Sequence, residues 1–249
     1  MSKDNLGLVS FAEQALAAKT GYVYGTFGQS CTTALLDQKA RQYPADDLAG
    51  GAMRAAGNRW IGRRVVDCIG LIKYYLMADK FGDNPIYLQQ YDCLNADDLL
   101  RVAKVSGPIS TLPEIPGLLL HMDGHVGIYV GGGYAIEAAG TEIGVIKTRV
   151  QGRGWDHWYK CIWINYVQPE AKSDTTGTFT VPHGKTYQFK ITSPVWPTLA
   201  CGGHEFQPVQ QSQSGNDYFF KFKAVGKAGQ GAGFYLNGAK TPIAVANIR

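Results

Sequence analysis

The chain changes its hydropathy pattern once, near Pro116, and that change constrains the fold more than any other feature. Upstream, Leu6, Val9, Phe11, Ala12, Ala15 and Leu16 recur at helical spacing and predict an amphipathic helix over residues 5–19. Further helical stretches are predicted over residues 33–42, stopped by Pro44, and over 46–56. Another spans 68–80, with Asp67 as N-cap and Gly82 beyond its end. Asn95 and Asp98 resemble a capping box opening a helix to about residue 105. Downstream of Pro116, short β-branched and aromatic runs alternate with Gly and Asp turns. They predict strands over 118–121, 125–130, 134–138, 145–148 and 160–167. Helices first and an antiparallel sheet second make an α+β domain.

The last third has a different character. Residues 169–177 are polar and lack large apolar side chains, as a linker does. Strands are predicted over 178–181, 186–192, 218–225, 233–236 and 243–248, a small all-β domain of Ig-like sandwich type. The expected organisation is therefore a first domain over 1–168, a linker over 169–177 and a β-domain over 178–249. Up to Gln168 the chain carries 16 Lys and Arg against 16 Asp and Glu; after it the count is 8 against 4. The whole net charge of +4 thus lies in the last third. Such a surplus suits an anionic partner and equally suits simple solubility.

Five cysteines, odd in number and without CxxC spacing, speak against a disulfide framework and a structural zinc site. No cofactor, metal or nucleic-acid partner is expected. No apolar run reaches the length of a signal peptide or a membrane span. Synthesis in the cytoplasm without a leader is the corresponding expectation.

Two segments carry the chemistry. Val65-Val66-Asp67-Cys68-Ile69-Gly70 puts a thiol one residue past a helix cap, where the helix N-terminus lowers a thiol pKa. In it, Asp67 is placed to receive backbone N–H bonds, and Gly70 to admit a substrate backbone. His125-Val126-Gly127-Ile128-Tyr129-Val130 puts an imidazole at a strand tip, and Glu137 follows in the next strand, across Gly131-Gly132-Gly133. Simple register about that turn sets His125 opposite Ala138 or Ala139, so Glu137 is close enough to hold the imidazole tautomer. A thiol, an imidazole and a carboxylate are the parts of a cysteine nucleophile triad. Residue types alone leave bland readings open: a buried apolar cysteine, an exposed turn histidine and an exposed strand glutamate. Trp155, His157, Trp158 and Tyr159 form an aromatic cluster that suits core packing or a groove wall.

Taken together, Asp67-Cys68-Ile69-Gly70, His125-Val126-Gly127-Ile128-Tyr129-Val130 and the upstream Tyr22-Val23-Tyr24-Gly25 resemble the NlpC-type cell-wall cysteine peptidases. The resemblance covers residues 5–168 and implies a papain-like core. It implies Cys68 as nucleophile, His125 as base and Glu137 as third member, with His121 and His157 as reserves. Tyr22 matches a tyrosine beside the nucleophile that helps the oxyanion. Three departures stand out: Ile69 where serine is usual, Glu137 where histidine is commoner, and a longer stretch between Gly25 and Asp67.

The implied activity is endopeptidase cleavage of peptidoglycan stem peptides at the γ-D-glutamyl–diamino acid amide. The β-domain would hold the enzyme near anionic wall polymers, and a phage or prophage lysin, or a tail-associated enzyme, fits the missing leader. Same-fold rivals are an N-acetylmuramoyl-L-alanine amidase or an acyltransferase. The rival of another class is a non-catalytic phage tail or wall-binding module.

Overall fold

The computed structural model describes residues 3–44, 48–167, 171–193 and 195–249. Two units emerge, residues 1–167 and 168–249. The first is α+β. Helix α1 (Asn5–Ala17) starts where Asp4 Oδ1 accepts the Gly7 N–H at 2.7 Å, and it buries Leu8, Val9, Phe11, Ala12 and Ala15. Strands β1 (Gly21–Tyr22), β2 (Phe27–Ser30) and β3 (Arg64–Val66) form a small sheet ordered β1-β3-β2, with β1 parallel to β3. Helices and strands are therefore not segregated as the pattern break at Pro116 suggests. These strands are two to four residues long, too short to show a period.

Between β2 and β3 lie α2 (Thr33–Gln42) and α3 (Leu48–Gly57). Residues 46 and 47 of the helix expected over 46–56 fall outside the described residues. Helix α4 (Gly70–Met77) is shorter than its predicted span of 68–80 and is buried along its whole length. Helices α5 (Gln89–Asp92) and α6 (Ala96–Arg101) follow. Asn95 Oδ1 caps α6 by accepting from Asp98 N at 2.8 Å, while the Asp98 carboxylate turns to Arg101 at 2.7 Å. Only the Asn95 half of the expected capping box is therefore formed.

The main sheet has six strands, β4 (Ser106–Pro108), β5 (Leu119–Met122), β6 (His125–Gly131), β7 (Tyr134–Ala138), β8 (Val145–Arg149) and β9 (His157–Tyr159), ordered β4-β9-β5-β6-β7-β8. The strand predicted over 160–167 is absent. Its segment turns at Cys161–Ile164, where Ile164 N bonds Cys161 O, and Asn165 bridges to Asp4 instead. The place beside β5 is taken by His157–Tyr159. Alternation sorts the side chains by face. Leu119, Val126, Ile128, Ile136 and Ala138 join α1 and α4 in one core. Leu118, Leu120, Tyr129, Ala135 and Trp155 form a second cluster.

The second unit consists of β10 (Lys172–Ser173), β11 (Gly177–Val181), β12 (Thr186–Thr192), β13 (Leu199–Cys201), β14 (Phe206–Ser214), β15 (Asp217–Ala224), β16 (Gly231–Leu236) and β17 (Ala244–Ile248). They make two four-stranded sheets, β10-β12-β15-β14 and β11-β17-β16-β13. Phe189 and Phe222 of the first sheet pack on Phe234 of the second, with ring centroids 4.7 and 5.0 Å apart, as in a sandwich. The linker-like stretch reaches into this unit, because Lys172, Ser173 and Gly177 are strand residues. Residues 169 and 170 lie outside the described residues.

Candidate active site

Cys68 stands in the turn between β3 and α4, and Asp67 shapes that turn. Asp67 Oδ1 accepts from Gly70 N at 2.6 Å, Oδ2 accepts from Gly25 N at 2.8 Å, and the Asp67 carbonyl accepts from Leu71 N. Asp67 thus acts as the cap, although the regular helix begins only at Gly70. Burial pushes its carboxyl up, against the two backbone N–H bonds and the Lys73 and Lys39 charges. Gly70 serves the fold rather than a substrate. The Thr26 carbonyl oxygen occupies the place where a Cβ would sit, so the protein's own chain fills that space.

The thiol reaches the tip of the β5–β6 hairpin. Cys68 Sγ is 4.0 Å from the Gly124 carbonyl, and the backbone N–H groups of Ile69, Val126 and Cys68 itself act on it. Gly124 and Val126 flank His125, so the sulfur sits against the histidine's own backbone neighbours. Burial and the Asp67 charge push the resting thiol up to about 12. That reverses the lowering expected from the helix N-terminus: loss of water and a like charge outweigh the N–H groups.

His125 and Glu137 meet directly, with Nε2 to Oε2 at 2.7 Å. The hairpin register explains how. Ile128 pairs with Ile136, and Gly131 with Tyr134, across an irregularity between Tyr129 and Gly131. One step further along, Glu137 comes against Gly127, where an added Cβ would lie 3.4 Å from Glu137 Cβ. The same Cβ would lie 2.7 Å from the Trp155 ring. A glycine here lets the carboxylate reach diagonally to His125, two residues away on the same face. Trp155 stacks on the imidazole, with centroids 5.5 Å apart and planes at 15°.

Glu137 is fully buried and strongly held. Thr148 Oγ1 donates to Oε1 at 2.7 Å; Arg153 Nε donates to Oε1 and Nη2 to Oε2, both at 2.8 Å. Burial disfavours its charge, yet the bonds from His125, Arg153 and Thr148 outweigh burial and hold it at about 2. The carboxylate is therefore ionised at neutral pH and accepts a hydrogen bond from Nε2–H. A neutral His125 then carries its lone pair on Nδ1.

Tyr22 ends β1 opposite Val66 and lines a cleft of about 490 Å³ with Tyr24, Met53 and the 139–143 segment. The reserve histidines are placed elsewhere. His121 Nδ1 faces Asp156 at 2.8 Å and Nε2 faces Asp97 at 2.9 Å. Burial opposes its charge, but the two carboxylates prevail and raise its pKa. Asp97 also accepts from Gly124 N at 2.9 Å, which ties this pair to the turn before His125. His157 faces Asp156 at 3.1 Å, and His121, Asp156 and His157 bring ligand atoms within 4.8 Å of one another, a spacing that suits a metal ion. Sequence reasoning missed Thr148, Arg153 and Asp97. Their only sequence signal for a site is the alternation that puts Thr148 opposite Ala135 on β7.

No family model matches the chain, and no curated protein matches it. Among solved structures it is similar to the P60 domain of an antigen from M. avium subspecies paratuberculosis, at 21% identity and a TM-score of 0.35, over 64% of this chain and 96% of that one. It is also similar to NlpC1 from Trichomonas vaginalis, at 16% identity and a TM-score of 0.38, over 66% of this chain but only 46% of that one. A third is the peptidoglycan hydrolase RipB from Mycobacterium tuberculosis, at 18% identity and a TM-score of 0.35, over 64% of this chain and 66% of that one. Among the described residues, no helix is long and apolar enough to cross a membrane.

Proposed function

We propose that the first unit is a peptidoglycan endopeptidase that works by a Cys68–His125–Glu137 thiol mechanism. The observation that carries this reading is the His125–Glu137 bond at 2.7 Å, made beside a thiol that contacts both backbone neighbours of that histidine. Because the resting thiol is protonated, His125 Nδ1 takes its proton as sulfur attacks the amide carbonyl. Glu137, already ionised, stabilises the imidazolium that forms, and Arg153 and Thr148 keep the carboxylate in place. Backbone N–H groups around the sulfur, with the Tyr22 hydroxyl, would receive the oxyanion. The imidazolium protonates the leaving amine, the acyl group stays on sulfur as a thioester, and water activated by His125 releases it as a carboxylic acid.

The substrate class rests on the resemblance of the two motifs to cell-wall peptidases, and the bond named is γ-D-glutamyl–diamino acid. Mass spectrometry of muropeptides from digested walls tests this. The expected products carry a new diamino-acid amine and a new γ-carboxyl on glutamate. A free L-alanine amine with intact lactyl groups would identify an amidase instead, and unchanged muropeptides would leave a non-catalytic module.

The β-domain is proposed as the wall-binding part, on the strength of the surplus of four positive charges carried by the residues after Gln168. Removing the residues after 168 is expected to weaken retention on purified walls and to flatten its salt dependence. Unchanged retention and salt response would end that assignment.

A further inference from the structure

Strands β5 and β9 place His121 directly opposite His157, so both imidazoles stand on one face of the sheet. Asp156, next in the chain to His157, puts Oδ1 2.8 Å from His121 Nδ1 and 3.1 Å from His157 Nδ1. Ligand atoms of all three residues lie within 4.8 Å of one another. The backbone of Asp156 is fixed on both sides. Its N–H donates to the His121 carbonyl and its carbonyl accepts from Ile109 N, each at 2.8 Å. His121 is 8% exposed, whereas Asp156 and His157 are exposed and leave the cluster open to solvent.

Asp97 of α6 approaches the same ring from its other nitrogen, with Oδ1 2.9 Å from His121 Nε2. Donation of Nε2–H to Asp97 leaves the lone pair of a neutral His121 on Nδ1, aimed at the Asp156 oxygen that His157 Nδ1 also faces. A carboxylate behind one ring nitrogen and a free lone pair on the other is how a metal-binding histidine is oriented. Asp97 and Asp156 act on each other as like charges. Between neutral imidazoles, one divalent cation balances these two carboxylates. Tetrahedral zinc with bonds of about 2.0–2.1 Å sets its donor atoms roughly 3.3 Å apart. The contacts of 2.8 and 3.1 Å at Asp156 are close to that spacing. Two imidazoles and a carboxylate suit zinc, whereas calcium and magnesium take oxygen ligands. No cysteine is involved, so the lack of CxxC spacing has no bearing on this cluster.

We propose that His121, Asp156 and His157 form a zinc site, with water as the remaining ligand and Asp97 holding the His121 ring in its metal-binding orientation. Protons that the ion displaces from the imidazoles pass to solvent. The site lies outside the Cys68–His125–Glu137 group but is tied to it. The Asp97 oxygen that faces His121 also accepts from Gly124 N at 2.9 Å, in the turn before His125. A bound ion therefore braces that turn from β5 and β9. The proposal stands whether or not the chain cleaves peptidoglycan.

Calorimetric titration of zinc chloride into the full, tag-free and metal-free chain tests this. The chain carries Cys68→Ala, so that the nucleophile thiol cannot capture the ion. About one equivalent should bind. Adding His157→Ala or Asp156→Asn, both at exposed positions, should abolish binding while leaving the melting temperature in chelator unchanged. Adding Asp97→Asn should weaken binding about ten- to hundredfold, the usual effect of altering an outer partner. Co²⁺ in place of zinc should show the d–d bands of a nitrogen- and oxygen-ligated ion without a thiolate charge-transfer band. Absence of zinc binding overturns the site, as does binding that survives His157→Ala and Asp156→Asn, or a thiolate band from another cysteine. Unchanged affinity in Asp97→Asn overturns the role given to Asp97.

Discussion

Cys68→Ala is expected to cut the release of stem-peptide fragments from purified walls by about 10³-fold or more, with little change in folding. The size of the effect follows from the chemistry: without sulfur there is no acyl-enzyme, and His125 has nothing to deprotonate except water. The small structural effect follows from the site. Cys68 is intermediate in burial, and its sulfur meets only backbone groups, the Gly124 carbonyl at 4.0 Å and the N–H groups of Ile69, Val126 and Cys68 itself. The turn itself is held by Asp67, which the substitution leaves in place. A melting temperature within about 2–4 °C of wild type corresponds to ~1 kcal/mol for a protein of this size. Fragment release near the wild-type rate by a folded Cys68→Ala protein would remove the thiol mechanism.

Glu137→Gln should act on both turnover and stability. A carboxamide no longer matches the bidentate Arg153 contact, and its NH₂ group can face His125 Nε2 and favour the wrong tautomer. Loss of about 10²- to 10⁴-fold in kcat, with a smaller change in KM, is expected for a group that orients the base rather than touching substrate. Stability should change in a pH-dependent way. The Glu137 carboxyl is held at about 2, below its ordinary value of 4.5, so its contribution is complete above 4.5 and disappears as pH falls toward 2. Urea midpoints of wild type and Glu137→Gln should therefore differ most near neutrality and converge on acidification. A gap that stays constant from pH 7 to pH 3 would contradict the ionised, paired carboxylate.

The wild-type fold explains why such a change is felt beyond one bond. Glu137 gathers His125 from β6, Thr148 from β8 and Arg153 from the following turn, while Trp155 covers the imidazole from the side. Each group comes from a different part of the chain, and the carboxylate is the point where they converge.

Much of this arrangement is legible in the amino-acid sequence. The α1 periodicity, the Asn95 cap, the hairpin about Gly131–Gly133 and the pairing of His125 with Glu137 are local matters. They depend on spacing, on turn residues and on period-two alternation, and the chain states these residue by residue. The failures are equally physical. Strands β1, β2 and β3 are too short to show a period, and residues 160–167 have β-like composition but turn at Cys161–Ile164. Gly70 suggests room for substrate by its residue type, whereas the Thr26 carbonyl fills that room.

Local patterning is enough to dictate the α+β class, the two motifs and the residue types able to do thiol chemistry. Packing in three dimensions is what surrounds the Glu137–His125 pair with Arg153, Thr148 and Trp155. Packing also keeps the resting Cys68 thiol protonated and brings His121 beside Asp156 and His157. The reason is that desolvation and convergent hydrogen bonding are sums over groups far apart in the chain. No local pattern encodes them, and only folding brings those groups within a few ångströms.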